Sequence, residues 1–297
     1  MTVSDDILSL AAGIAGGAPA PPVTPALRRD VGRLLETARA PLASLDAVLT
    51  GPHADVALRW LEETGALGVW LPEVQALIGF HESSPTHHKD LWAHTVEVVG
   101  RTPADADLRW VALLHDIGKV ATRAIDERGL VTFYGHERLG AWLVAGIAAR
   151  LQMPEGRAAR IAFIVHHHAR VNAYEHSWTD RAVRRLIRDS GEHLDDMVRF
   201  SSADYTTRRR QRVSQIRAQL SHLEARISQI KVTDSAPPAL PAGLGHALCQ
   251  GLAVRPGPRV GEAIAWLKAE IAAGRLEPGM TTDTYVDACR THAEPGD

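Results

Sequence analysis

The stretch LRWVALLHDIGK, residues 108–119, decides how the rest of the sequence is interpreted. It is an apolar helical run that ends in His115 and Asp116. Adjacent side chains leave a helix about 100° apart, so the imidazole and the carboxylate can both reach one ion. Such a ligand pair suits divalent ions of the Mn, Fe, Co, Ni or Zn type. A buried His–Asp pair that only stabilises a helix end explains this dipeptide equally well.

Two further residues of this stretch suggest a role with a bound anion. Lys119 lies three residues after Asp116, close to it on a helix surface, where its amine can meet a phosphate. Gly118 has no side chain, and we expect it to permit the close approach of a substrate backbone.

The composition is that of an ordinary soluble globular protein, with 45% hydrophobic and 23% charged residues among 297. The length predicts one large domain or two smaller ones. A net charge of −2 argues against nucleic-acid binding through the whole surface, although it permits a local basic patch. The two cysteines, Cys249 and Cys289, lie far along the chain from the His–Asp pair, so a Cys-based zinc site is not indicated.

No apolar run approaches the length of a membrane span, so no membrane partner is expected. The first apolar stretch follows Asp5 and Asp6, where a secretion signal would carry positive charge. We therefore expect a cytoplasmic protein.

The pattern along the chain predicts an all-α fold in five segments. The segments are a flexible Ala/Gly/Pro-rich stretch that begins with a short helix (1–25), an N-terminal helical region (26–80), the segment that carries the chemistry (81–232), a linker (233–255) and a C-terminal helical segment (256–297).

Three histidine positions fall within apolar helical patterns. His94 lies on the face of Leu91 and Val98, and we expect His88 and Asp90 to orient it. His136 lies in the first turn of the next long helical pattern. A single histidine at such a place is more often a satisfied core residue than a ligand.

The third position is the triplet at 166–168, which ends an apolar helical pattern. At least one of its members must face inward, and the spacing does not separate His167 from His168.

A carboxylate completes the set. Asp204 shares a helical face with Met197 and Phe200, where burial is costly unless the group is paired or binds a metal. An ordinary core does not collect this many titratable groups. The number of groups fits two metal ions, the first bound by His94, His115, Asp116 and Asp204, and the second by Asp116 as a bridge together with His136 and one or two residues of the triplet. Two such ions can activate a water and hold the oxygens of a transferring phosphoryl group.

The order H…HD…D, with HDIGK, GHE and HHH, resembles the HD-domain metal-dependent phosphohydrolase superfamily. It is most similar to the HD module of bacterial tRNA nucleotidyltransferases, the CCA-adding enzymes. The resemblance extends through LPEVQALIGF, the H-x-D-x-W-x-x-H pattern of 88–94, SSAD and the PGPRVG turn, and covers roughly residues 30–280. It implies an HD-domain helical bundle over 81–232, flanked by additional N- and C-terminal helices.

The sequence also departs from the CCA-adding enzymes. They carry an N-terminal nucleotidyltransferase head with a GGxVRD-like motif and a strand with paired carboxylates, and nothing before Leu91 resembles either feature. We therefore expect no nucleotide addition by this chain. In some of these enzymes the HD module is linked to 2′,3′-cyclic phosphodiesterase and phosphatase activity, whereas other family members have lost their ligands. This chain keeps every ligand position.

The resulting hypothesis is a phosphodiesterase or phosphatase that acts on a nucleotide or an RNA end, such as a 2′,3′-cyclic phosphate, with two divalent ions (Mn, Co, Ni, Fe or Mg). Asp116 and Lys119 are the predicted catalytic residues, and Lys119, Arg208 and Arg209 the predicted phosphate-binding residues. The predicted metal ligands are His94, His115, Asp116, His136, His167, His168 and Asp204.

The alternative is a non-catalytic RNA-binding or partner-binding module that uses the helices over 212–230 and 260–273. The sequence leaves open the substrate, the metal, whether one or two ions bind, and the oligomeric state. It also leaves open which of His166, His167 and His168 are ligands.

Overall fold

A computed structural model describes residues 3–37, 42–80, 90–127, 129–205, 207, 209–235 and 239–293. The described part is helical apart from one antiparallel hairpin, formed by Ala124–Ile125 (β1) and Val131–Thr132 (β2). The hairpin turns at Asp126, whose N–H donates to the carbonyl of Leu130. The predicted all-α class is confirmed.

The helices follow one another through the whole described chain. They are α1 Val3–Ala15, α2 Pro25–Thr37, α3 Leu42–Thr50, α4 Ala54–Thr64, α5 Ala66–Trp70, α6 Pro72–Gln75, α7 Leu91–Arg101, α8 Ala106–Leu114, α9 Lys119–Thr122, α10 His136–Arg150, α11 Glu155–His167, α12 Ala169–Asn172, α13 Asp180–Ser190, α14 Leu194–Ser201, α15 Arg210–Ser235, α16 Leu244–Gly251, α17 Pro258–Ala272 and α18 Thr282–Ala293. A 3-10 turn, Gly191–His193, lies between α13 and α14.

The chain divides into two compact units, Met1–Ile227 and Ser228–Asp297. In the first unit α8 is the central helix, because it packs against α3, α7, α11 and α14. Each of its residues from Leu108 to Leu114 is buried. A helix that is covered on all sides needs an apolar sequence rather than an apolar stripe, which explains the continuous run before His115.

The N-terminal helix differs from the flexible segment that composition predicts for residues 1–25. The expected short helix is present, but α1 packs on α3 and α4. It buries Ile7, Leu8 and Ile14, which are at most 2% exposed. Leu8 is adjacent to Ile7, and Ile14 lies two turns beyond Ile7, so the three form one apolar stripe and tertiary packing holds the helix.

The second unit has its own core, in which Leu248, Leu267 and Tyr285 are fully buried. The phenol of Tyr285 donates to the carbonyl of Glu277 at 2.7 Å. Helix α16 lies inside the range predicted as a linker, because Leu244 and Leu248 give it one apolar face for packing against α18. Among the described residues, none of the helices combines the length and the apolar character that a membrane crossing requires.

Candidate metal centre

All the predicted ligands except His167 converge in the first unit, and most of them lie at helix ends. His94 lies within α7, and His115 caps the C-terminus of α8, directly before Asp116. His136 is the first residue of α10, and Gly135 before it has a φ of 80°, a conformation that glycine adopts without strain. His168 caps the C-terminus of α11, and Asp204 lies three residues beyond α14.

Asp116 lies between two groups of possible ligands. Its Oδ2 is 3.2 Å from Nε2 of His115 and 3.9 Å from Nε2 of His94. Its Oδ1 is 3.8 Å from Nε2 of His136 and 3.9 Å from Nε2 of His168. Each set brings one nitrogen or oxygen per residue close enough together to surround an ion. We call the set on the Oδ2 side the first group and the set on the Oδ1 side the second group.

Asp204 adds a second carboxylate to the first group. Its Oδ1 is 3.2 Å from Nε2 of His94 and 3.8 Å from Nε2 of His115. The other oxygen, Oδ2, accepts a hydrogen bond from the side-chain amide of Asn172 at 2.9 Å. Asn172 in turn accepts from the hydroxyl of Ser201. The sequence predicts neither of these two supporting residues, because Asn172 is 32 positions from Asp204 and lies in no recognisable pattern.

The backbone fixes which imidazole nitrogen faces the carboxylates. Nδ1 of His115, His136 and His168 each lies within hydrogen-bond distance of the carbonyl three residues earlier, at 2.9, 2.9 and 2.7 Å. Since a carbonyl oxygen only accepts, Nδ1 carries the proton and donates it. Nε2 is then the ring nitrogen whose lone pair can bind a metal.

Two observations fit these residues to divalent ions. Nε2 of His115 is buried and has no well-directed hydrogen bond within the described structure, an arrangement that costs about 1–3 kcal/mol if nothing binds there. The donor set is also suitable, because imidazole nitrogens and carboxylate oxygens bind Mn, Fe, Co, Ni and Zn.

The charges of the site favour a cation. Burial alone would raise the pKa of Asp116, but the neighbouring His115, Lys119 and His168 hold it well below its usual value. Burial likewise opposes ionisation of Asp204, yet its hydrogen bond with His94 and the charge of His115 lower its pKa. Both carboxylates are therefore ionised. Burial would lower the pKa of His115, but Asp116 and Asp204 outweigh it and raise the pKa, so a proton competes with a metal for this ring.

Gly118 has a different role from the one predicted. A Cβ on Gly118 would lie 2.1 Å from the carbonyl oxygen of His136 and 2.8 Å from the backbone nitrogen of Gly140. The space is occupied by α10, so the expected approach of a substrate backbone is wrong. The missing side chain lets the first turn of α10 come close enough to place His136 beside Asp116.

Lys119 contacts the carboxylate of Asp116, which belongs to both ligand groups. Its Nζ lies 2.9 Å from Oδ2 of Asp116 and 5.6 Å from the centre of the Phe133 ring. Its side chain is 14% exposed, so the amine lies at the boundary between the ligand groups and solvent.

The structure separates the members of the histidine triplet. His168 belongs to the second group, whereas His167 lies outside both groups. The ring of His167 packs edge-on against Phe163 and His166, with ring centres 4.5 and 4.4 Å away. Burial, with the charges of Arg170 and His166, lowers the pKa of His167 to about 4. The inclusion of His167 among the ligands therefore has no geometric support.

Other predicted residues lie around the site or outside the described residues. The carboxylate of Asp90 accepts from the backbone N–H of Ala93 and caps α7, so Asp90 positions His94 by starting its helix. Arg209 is exposed. His88 and Arg208 lie outside the described residues. A cavity of about 520 Å³ borders Asp204, with Arg212 in its lining.

The part of the chain that contains both ligand groups is similar to a known protein family. Residues 90–225 match the model of the HD domain family. All residues of both ligand groups lie within this match. The predicted resemblance is confirmed.

Along most of its own length, the chain is also similar to parts of two tRNA nucleotidyltransferases. It is 32% identical to the A-adding tRNA nucleotidyltransferase of Deinococcus radiodurans over 280 residues, which cover 89% of this chain and 63% of the relative. It is 31% identical to the CC-adding tRNA nucleotidyltransferase of Thermus thermophilus over 238 residues, or 78% of this chain and 52% of the relative. The chain thus spans between about half and two thirds of the length of these two relatives, and the similarity reaches beyond the HD domain.

Proposed function

We propose that this chain is a metal-dependent phosphohydrolase that cleaves a phosphoester at an RNA end or on a nucleotide, such as a 2′,3′-cyclic phosphate. One observation carries the proposal: the two oxygens of Asp116 face two separate ligand groups. A carboxylate in this position can hold two ions a few ångströms apart, the arrangement found in phosphatases and nucleases.

The ligand assignment follows the distances. His94, His115, Asp116 and Asp204 would hold the first ion, and Asp116, His136 and His168 the second. The ions, when bound, would supply an activated water and neutralise charge on the phosphoryl oxygens. The backbone carbonyls that fix Nδ1 of three histidines orient the rings before any ion arrives, which reduces the reorganisation needed for binding.

Lys119 is the protein group best placed to act on the substrate. Its ammonium is held near the centre by Asp116, and its flexible stem can bring it to a phosphoryl oxygen, where it stabilises negative charge as the P–O bond breaks. The ring of Phe200 packs beside that of His115, with the ring centres 5.4 Å apart.

The neighbourhood of the site and the relatives support the proposed substrate class. The cavity beside Asp204 contains polar lining from Asn172, Thr207 and Arg212, and Arg212 can contact a phosphate or sugar. The relatives are named as enzymes that add nucleotides to tRNA, so an RNA end is the substrate that we favour.

The test combines metal analysis with a substrate screen. The purified chain is expected to contain or take up two equivalents of Mn, Co, Ni, Fe or Mg and to hydrolyse a 2′,3′-cyclic nucleotide or an RNA that ends in a 2′,3′-cyclic phosphate. Asp116→Ala should abolish both properties, and His167→Ala, as a matched control, should keep them. A chain that takes up no metal in titration, or that hydrolyses no phosphoester when loaded, contradicts the proposal.

A further inference from the structure

An exposed row of arginines lies on α13, away from the groups of metal ligands. Arg181, Arg184, Arg185 and Arg188 are exposed and recur at intervals of three and four residues, so they share one face of the helix. The opposite face packs into the protein through Val183 and Leu186. The amphipathic pattern therefore places all four side chains on the solvent-facing side of α13.

A fifth arginine lies beside this face. Arg170 lies in α12, two residues after His168, and its Nη1 is 3.6 Å from Oδ2 of Asp189. Arg185 and Arg188 lie 3.4 and 3.0 Å from the same carboxylate. The single carboxylate of Asp189 thus lies close to three arginines, so this cluster keeps a net positive charge. We call Arg170, Arg181, Arg184, Arg185 and Arg188 the arginine surface.

A groove runs along one side of the arginine surface. It encloses about 350 Å³ and is lined by Trp178 and Leu186 as well as by Arg170 and Arg185. Trp178 is partly buried, with its ring 5.6 Å from that of Tyr174. An aromatic side chain beside guanidinium groups is the combination that binds an unstacked base next to a phosphate.

We propose that the arginine surface binds the phosphate backbone of RNA whose end reaches the metal centre. This inference rests on the proposed function and deepens it, because it makes the substrate a polymer rather than a free nucleotide. Seven residues of helix rise about 10 Å, so the row from Arg181 to Arg188 is longer than one phosphate and matches a run of them.

The residue type and its place support the choice of RNA over an acidic protein. All five cations are arginines, whose planar fork fits phosphate oxygens in pairs, whereas lysine serves as a point charge. The concentration of positive charge is notable in a chain whose net charge is −2. Through α12, the surface is continuous with the segment that carries His168, so a strand bound there can extend to the second group.

The test measures RNA binding without turnover. A fluorescent RNA hairpin with a single-stranded 3′ end is titrated against the Asp116→Ala chain and against the same chain with Arg181→Gln, Arg184→Gln and Arg188→Gln. Glutamine is nearly as good a helix former as arginine, so α13 should persist, as circular dichroism can show. The matched control carries Arg28→Gln, Arg29→Gln and Arg33→Gln on α2, which removes the same charge from another exposed helix.

We expect the α13 variant to bind at least about tenfold more weakly at 100 mM KCl, and the slope of log K against log [KCl] to become shallower by about 2, because each lost phosphate contact removes about 0.7–0.9. The α2 control should change the Kd less than about twofold. Equal losses in both triple variants, or none in the α13 variant, overturn the proposal. So does displacement of the RNA by polyglutamate as readily as by unlabelled RNA.

Hydrolysis separates this inference from the proposed function. In the chain with an intact Asp116, the α13 substitutions should raise the KM for an RNA end and leave hydrolysis of a 2′,3′-cyclic mononucleotide unchanged. An equal loss on both substrates overturns the arginine surface as a polymer-binding site. Binding that depends on α13 in a wild-type chain that hydrolyses nothing contradicts the proposed function alone.

Discussion

The two ligand groups that share Asp116 differ in charge, whereas the most exposed ligand side chain is 13% exposed in each. The first group contains two carboxylates, and the side chains of His94 and His115 are 4% and 1% exposed. The second group has Asp116 as its carboxylate, and the side chain of His136 is 13% exposed. Since affinity for a divalent ion rises with the number of anionic ligands, we expect the first group to bind its ion more tightly. The second group also depends on a close backbone contact, between Gly118 and α10.

The largest effect is expected from Asp116→Ala, because this residue belongs to both groups. Both ions should be lost, and turnover should fall by more than about 10³-fold, since one electrostatic donor alone is worth about 10²–10³. The fold should persist, because α8 keeps its buried residues. Metal analysis, circular dichroism and phosphoester hydrolysis check this, with Asp283→Ala on the exposed start of α18 as the control. Two ions bound to Asp116→Ala would show that the carboxylate is no bridge.

Gly118→Ala tests whether the second group depends on the approach of α10. The new Cβ would lie 2.1 Å from the carbonyl oxygen of His136, so the start of α10 must shift. We expect the free energy of unfolding, measured by urea denaturation, to fall by about 1–3 kcal/mol, and one ion to stay bound. The control is Gly146→Ala within α10, where no atom lies within 4 Å of the new Cβ. That change should stabilise the protein by up to about 1 kcal/mol. Equal stability of the two variants would contradict the packing argument.

His136→Ala and His94→Ala compare the groups directly. His136→Ala should leave one ion tightly bound in the first group. His94→Ala should remove that tighter ion or weaken its binding. Calorimetric titration of the metal-free protein should therefore change from two binding steps to one, with the remaining affinity differing between the variants. His167→Ala should keep both steps. A loss of one step in His167→Ala would move the ligand from His168 to its neighbour.

The smallest effect is expected from Lys119→Ala, which leaves both ligand groups intact. Both ions should stay bound, because the substitution removes a positive charge that lies 2.9 Å from a metal-binding oxygen. Turnover should fall by about ten- to a hundredfold through weaker stabilisation of the phosphoryl charge. Lys119→Arg should restore part of the rate, since it keeps a cation at this place. Unchanged turnover in Lys119→Ala would remove the residue from the mechanism.

The supporting residues show where prediction from sequence ends. Asp204 was identified because a carboxylate shares a helical face with apolar residues, a local pattern. Asn172 and Ser201, which orient its Oδ2, carry no such pattern and meet through the packing of α12 against α14. Gly118 was recognised as unusual, but the neighbour that needs its missing side chain is the carbonyl of His136, from another helix.

The sequence by itself determined the helical class, the central buried helix and the residues that could bind metal, because helical periodicity and the cost of burying charge act over a few turns of chain. The tertiary structure decided that His168 rather than His167 joins the site and that the oxygens of Asp116 face different groups. It also decided that α1 packs against α3 and α4 instead of belonging to a flexible segment. These outcomes depend on where helix ends meet, and the packing of side chains that are distant in sequence sets those positions to within about an ångström.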